Sequence, residues 1–203
     1  LVLFFNTIMG NLSRHKNPGV VFINTQVADL SYITEAENYI SKDNLKKYLS
    51  EKNSTESIYK WAKEVYEKRK AKNSKDTPLW IILMGWNKGI GIGIDPDANL
   101  KRDLVNLMQV CGEFNMHFIF LSTNTPMGMS NIVDACKYRI AGKVTEDDSR
   151  LIIGNKRAGI VYEGKMAEGG YIFVNTAGVV TRDKLYRSEI KHQVKSDKLV
   201  LNL

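Results

Sequence analysis

Leu79-Trp80-Ile81-Ile82-Leu83-Met84 is the most apolar run of the chain, and Gly85-Trp86 follows it at once. Six residues are too few for a core helix, and Pro78 and Gly85 bracket the run. A short, uninterrupted apolar segment between such breakers reads as a central strand buried on both faces of a parallel sheet. Helical patterns flank it. Upstream, Ile58, Trp61, Ala62, Val65 and Tyr66 stripe one side of a helix running to about Lys70, with Asn53-Ser54-Thr55-Glu56 as a capping-box-like start. Downstream, Leu100, Leu104, Leu107, Met108, Cys111 and Phe114 stripe a second helix, and His117–Leu121 (HFIFL) reads as another buried strand.

The same alternation extends in both directions. Leu1, Phe4, Phe5, Ile8, Met9 and Leu12 fall on one helix face, which Asn17-Pro18-Gly19 ends. Val20–Asn24 (VVFIN) reads as a strand, and residues 25–53 are expected to hold a short helix near Asn44–Leu49. Beyond Pro126 come a short helix near Asn131–Cys136, a strand over Tyr138–Val144, and a helix over Glu146–Ile153 capped by Thr145. The last third changes character: Val161, Tyr171–Val174 and Val179–Thr181 look like short strands between glycine turns. Strands separated by helices imply a parallel sheet wrapped on both faces, an α/β fold in three layers, with a short glycine-rich hairpin region near the C-terminus. Ligands of such sheets sit at the carboxyl ends of the strands, here Asn24-Thr25, Gly85-Trp86 and Ser122–Asn124.

Composition bounds the rest. The chain has 203 residues, 43% apolar and 25% charged, enough for one domain with its own core. That excludes a disordered chain, a collagen-like chain and a disulfide scaffold. No apolar run approaches the ~20 residues that cross a bilayer, and no signal-peptide pattern is visible. Two cysteines and three histidines offer no zinc spacing, so no metal site is expected. The net charge is 29 − 22 = +7. It is densest in Lys60–Lys75, where Glu64 and Glu67 interleave with the lysines, and an interleaved helix face is ordinarily just solvated. Nucleic acid is therefore not the expected partner.

Little in the sequence forms a self-sufficient active site. Gly89-Ile-Gly91-Ile-Gly93 lacks both the dinucleotide spacing and the helix start, since Asp95-Pro96 follows it. A phosphate-binding GxxxxGK[ST] is absent from the chain. His117 opens a buried strand and reads as a core histidine; Asp147-Asp148 and Glu35/Glu37 read as helix-start and surface charges. No catalytic residue is assigned. Asn124, in Leu121-Ser-Thr-Asn-Thr-Pro126, could orient a water beside a nucleotide phosphate, or could equally be a cap or turn-former before the proline.

Taken in order, these segments resemble the FtsK/SpoIIIE-type P-loop ATPases. Leu3–Leu12 is similar to the helix after the phosphate loop, and Val20–Gln26 to the second strand, with Asn24-Thr25 in place of Asp-Pro. Leu79–Trp86 resembles the Walker B strand, and Phe118–Pro126 the sensor strand, with Asn124 at the glutamine position. Tyr138–Ile153 resembles the Arg-Ile strand and the Asp-Ser-Arg segment, through Arg139-Ile140 and Asp148-Ser149-Arg150, and Gly164–Phe173 resembles the glycine-rich closing hairpin. The resemblance implies a RecA-like P-loop NTPase sheet. It also implies that the first strand and the phosphate loop precede Leu1, so that residues 1–203 form one degenerate domain. The tail Lys198–Leu203 reads as a late strand.

The departures matter as much. In the family, an aspartate and a glutamate at the Walker B strand end serve magnesium and the attacking water; here Gly85 and Trp86 stand there. Glycine offers a metal no side chain, and tryptophan cannot act as a base. ATP and magnesium are implied as family cofactors, with Gly85, Trp86 and Asn124 as the nucleotide-proximal residues. Within the family the sequence is most similar to the last ATPase-like domain of the EssC-type coupling proteins of type VII secretion. That implies the cytoplasmic side of the membrane, as part of a longer anchored protein. It implies as partners small helical WXG100-type substrates, other ATPase domains of the same chain, other secretion-machinery components, and further copies in a homo-oligomer. Arg139 and Arg150 would be interdomain arginines or structural ion-pair formers, and Trp86 an anchor for a partner helix or a packing residue. A working ATPase with its phosphate loop upstream, or a DNA-translocase fragment, are the alternatives.

Overall fold

A computed structural model describes residues 8–12, 14, 19–25, 45–49, 55–75, 77–84, 98–122, 130–160 and 171–184. Residues 8–12 and 14 are helical, with Met9 and Leu12 buried, as the stripe through Leu12 predicts. The elements that follow are β1 (Val20–Thr25), β2 (Leu45–Leu49), α1 (Thr55–Ala71), β3 (Leu79–Met84), α2 (Ala98–Val110) and a 3₁₀ turn (Cys111–Phe114). Then come β4 (Met116–Leu121), α3 (Ser130–Ala135), β5 (Tyr138–Ala141), α4 (Glu146–Ile153), α5 (Arg157–Ile160), β6 (Tyr171–Thr176) and β7 (Val179–Lys184).

The first four strands form one parallel sheet in the order β2-β1-β3-β4. Its core follows from the alternation along β3. Leu79, Ile81 and Leu83 lie opposite Met116, Phe118 and Phe120 of β4, so these six side chains share a face. Ile58, Ala62 and Tyr66 of α1 and Leu104 and Leu107 of α2 pack against that face. Ile82 and Leu121, which belong to the other face, are also buried, so the sheet is covered on both sides as an all-parallel sheet requires. Each aliphatic side chain buried this way contributes about 1.5–3 kcal/mol, and cutting the fully buried Ile81 to alanine costs about 2–5 kcal/mol.

Gly19 sets the entry to β1. Its φ is +71°, and a Cβ there would lie 1.8 Å from the Pro78 carbonyl oxygen, so only glycine lets the chain pass this close to the start of β3. The structure departs from the sequence reading at Leu45–Leu49. The expected short helix is a strand, paired with β1 along five residues from Val21↔Leu45 to Thr25↔Leu49. A parallel ladder decides the conformation of so short a segment more strongly than local propensity does.

The C-terminal region forms a second, antiparallel sheet in the order β5-β6-β7. Tyr138–Ala141 therefore pairs with the closing hairpin, not with the parallel sheet, and stops three residues short of the expected strand end. The hairpin strands run through Thr176 and Lys184, longer than the apolar runs suggested. On one face Ala141 and Phe173 pack with Ile153 of α4 and Ala158 of α5. The α4 cap is as expected: the Asp148 amide donates to Thr145 Oγ1 at 3.2 Å. Val161 and Lys198–Leu203 lie outside the described residues.

Candidate functional site

The strand register brings the carboxyl ends of the parallel sheet into one row. Leu49 lies opposite Thr25, Thr25 opposite Met84, and Met84 opposite Leu121. In sequence, the predicted site residues come just after this row. Gly85 follows Met84 directly, Trp86 is one residue further, and Asn124 is two residues past Ser122. Gly85, Trp86 and Asn124, like Gly89–Gly93, lie outside the described residues. The described structure thus supplies the platform from which they depart, two adjacent parallel strands ending level.

Among the described residues no three His, Cys, Asp or Glu side chains gather to hold a metal ion. The strand after which the family's carboxylate pair stands continues into glycine and tryptophan. A hard divalent cation needs oxygen ligands and hydrolysis needs a base, and neither Gly85 nor Trp86 has a side chain that serves as either. No reaction step is assigned to this end.

Among the described residues, the polar contacts of the parallel sheet gather at its opposite, amino end. Arg69, in the last turn of α1, is 9% exposed. Its Nη1 donates to the carbonyl oxygens of Phe114 (2.8 Å) and Asn115 (3.2 Å), and its Nη2 donates to that of Thr77 (2.9 Å). The guanidinium fork thereby ties α1 to the turns that enter both β3 and β4. Asn115 completes the corner: its left-handed backbone ends the 3₁₀ turn, and its carbonyl accepts from the Leu79 amide at 2.9 Å. His117 stacks on Trp80 at 4.5 Å between ring centroids, and its Nε2 lies 3.2 Å from Asn115 Oδ1. Burial, then the nearby Arg69 charge, hold the His117 pKa below its ordinary value; the ring is a half-buried packing partner of Trp80, where the sequence suggested a core histidine. Burial pushes the Cys111 thiol up to about 11, and its Sγ–H donates to the Met116 carbonyl at 3.3 Å. A thiol so held is inert.

The two sequence-predicted arginines form ion pairs with carboxylates close by in sequence. Arg139 on β5 is paired with Asp134 of α3 at 3.4 Å. Arg150 on α4 is paired with Asp147 at 3.3 Å and with Glu146 at 3.7 Å, in the open. Among the described residues, none of these pairs joins them to the carboxyl end of the parallel sheet. The middle residue of Asp148-Ser149-Arg150 has a different task. Ser149 is fully buried; its hydroxyl donates to the Asn155 carbonyl at 2.5 Å and accepts from the Ala158 amide at 3.1 Å. Asn175 of β6, 3% exposed, donates from Nδ2 to the Ile153 carbonyl at 2.7 Å and accepts at Oδ1 from the Gly178 amide at 2.9 Å. Together they fasten the end of α4 to α5 and to the closing hairpin.

Arg69, Asn115 and Asn175 escaped the sequence reading. Arg69 sits within a lysine-rich run, and only its phase marked it: Ile58, Ala62, Tyr66 and Arg69 fall at i, i+4, i+8 and i+11, all on the buried stripe.

No family model matches the sequence, and no curated protein matches it. Solved structures do. One is EssC (ATPases 2 and 3) from Geobacillus thermodenitrificans, at a TM-score of 0.65 and 12% identity, over 95% of this chain and 38% of that one. A second is the type VII secretion ATPase EccC of Thermomonospora curvata. Its cytoplasmic domain matches at 0.63 and 15% identity, over 92% of this chain and 24% of that one. Its ATPases 2 and 3, in complex with a signal sequence peptide, match at 0.59 and 10% identity. A third is B204, the DNA-packaging ATPase of Sulfolobus turreted icosahedral virus, at 0.62 and 11% identity, over 90% of this chain and 89% of that one. The chain spans about a quarter to two fifths of the secretion ATPases it matches. Among the described residues no helix is long and apolar enough to cross a membrane. In fold the chain is similar to the P-loop ATPase domains of EssC and EccC, as the FtsK/SpoIIIE resemblance implied.

Proposed function

We propose that this chain is a degenerate FtsK/SpoIIIE-type domain of a longer, membrane-anchored type VII secretion protein, working by binding protein partners and not by hydrolysing ATP. On this reading it acts on the cytoplasmic side, in recognising small helical WXG100-type substrates or in regulating the ATPase domains and other machinery alongside it. The observation that carries it is the end of β3. The strand runs level with its neighbours to Met84, where the family's carboxylate pair follows, and continues as Gly85-Trp86. Binding of a signal sequence peptide by EccC supports a protein ligand for a domain of this fold.

One domain over residues 1–203 fits the same reading. Arg139 and Arg150 then serve this chain as ion-pair formers, and Asn124 is the residue to test for nucleotide proximity. The experiment is Mg-ATP turnover by the purified chain and by the same chain extended upstream, each compared with Asn124→Ala. Neither turnover nor an effect of Asn124→Ala on nucleotide affinity is expected. Magnesium-dependent turnover, or tight Mg-ATP binding lost in Asn124→Ala, would replace this reading with a working ATPase completed from upstream.

A further inference from the structure

No further inference is drawn: the strongest candidate, the outer face of the β5-β6-β7 sheet on which Tyr138 and Val179 are 61% and 65% exposed beside Ile140, carries none because nothing in the structure shows what covers it.

Discussion

Replacing Ser149 with alanine isolates what the Asp-Ser-Arg segment does. The substitution removes one oxygen and leaves almost no cavity. It deletes the bond to the Asn155 carbonyl and strands the Ala158 amide, in a residue that is fully buried. The lost bond to Asn155 and the orphaned Ala158 amide each cost about 1–1.5 kcal/mol, so the local loss is about 2–3 kcal/mol. That corresponds to a ~30- to 160-fold faster hydrogen exchange at Ala158 if exchange proceeds through local opening. Hydrogen exchange followed by NMR or mass spectrometry, alongside urea unfolding by circular dichroism, reads both. Arg150→Ala is the control, because its exposed pairs with Glu146 and Asp147 are worth about 0–1 kcal/mol. A Ser149→Ala protein that exchanges within ~3-fold of the parent and keeps its urea midpoint would refute the assignment of Ser149 as the fastener of this subdomain.

Other outcomes follow from the same geometry. Arg69→Met deprives three carbonyls of a charged donor and is expected to cost about 2–4 kcal/mol in urea unfolding, with Arg69→Lys intermediate because an ammonium lacks the fork. His117 takes up its proton more readily in the unfolded chain than in the folded one. Stability is therefore expected to fall as pH is lowered through the ordinary histidine value of 6.5, and an NMR titration should place the folded midpoint below it; a midpoint at or above it would contradict the packing described. Gly159→Ala puts a Cβ 2.6 Å from the Glu146 backbone and should loosen α5 from α4, seen as faster exchange in both. Duplex DNA is expected not to bind even at low salt; binding that weakens steeply with salt would favour the translocase alternative.

The elements legible in the sequence are those whose own periodicity matches their burial. β3 and β4 read as buried strands, α1 and α2 as striped helices, and Thr145 as a cap, because each signal is local. What escaped depends on partners distant in sequence. Leu45–Leu49 is a strand because β1 offers it a ladder, and nothing in its own pattern says so. Tyr138–Ala141 has the composition of any strand; only its partner Phe173–Thr176 makes it antiparallel. Arg69 and Asn175 look like surface residues until their carbonyl partners, 8 to 46 positions away, are known. Of the site, the row of strand ends was predictable from the alternation of strands and helices. The vacant acid positions were visible only through comparison with a family pattern, since a Gly-Trp dipeptide has no chemical signature of its own.

The most direct test of partner binding without hydrolysis is a fluorescence titration of a labelled WXG100-type helical protein with the purified chain, with and without Mg-ATP. Saturable binding that Mg-ATP leaves unchanged is the result predicted; no binding in either arm would contradict substrate recognition by this chain, and binding that appears only with Mg-ATP would contradict partner binding independent of nucleotide.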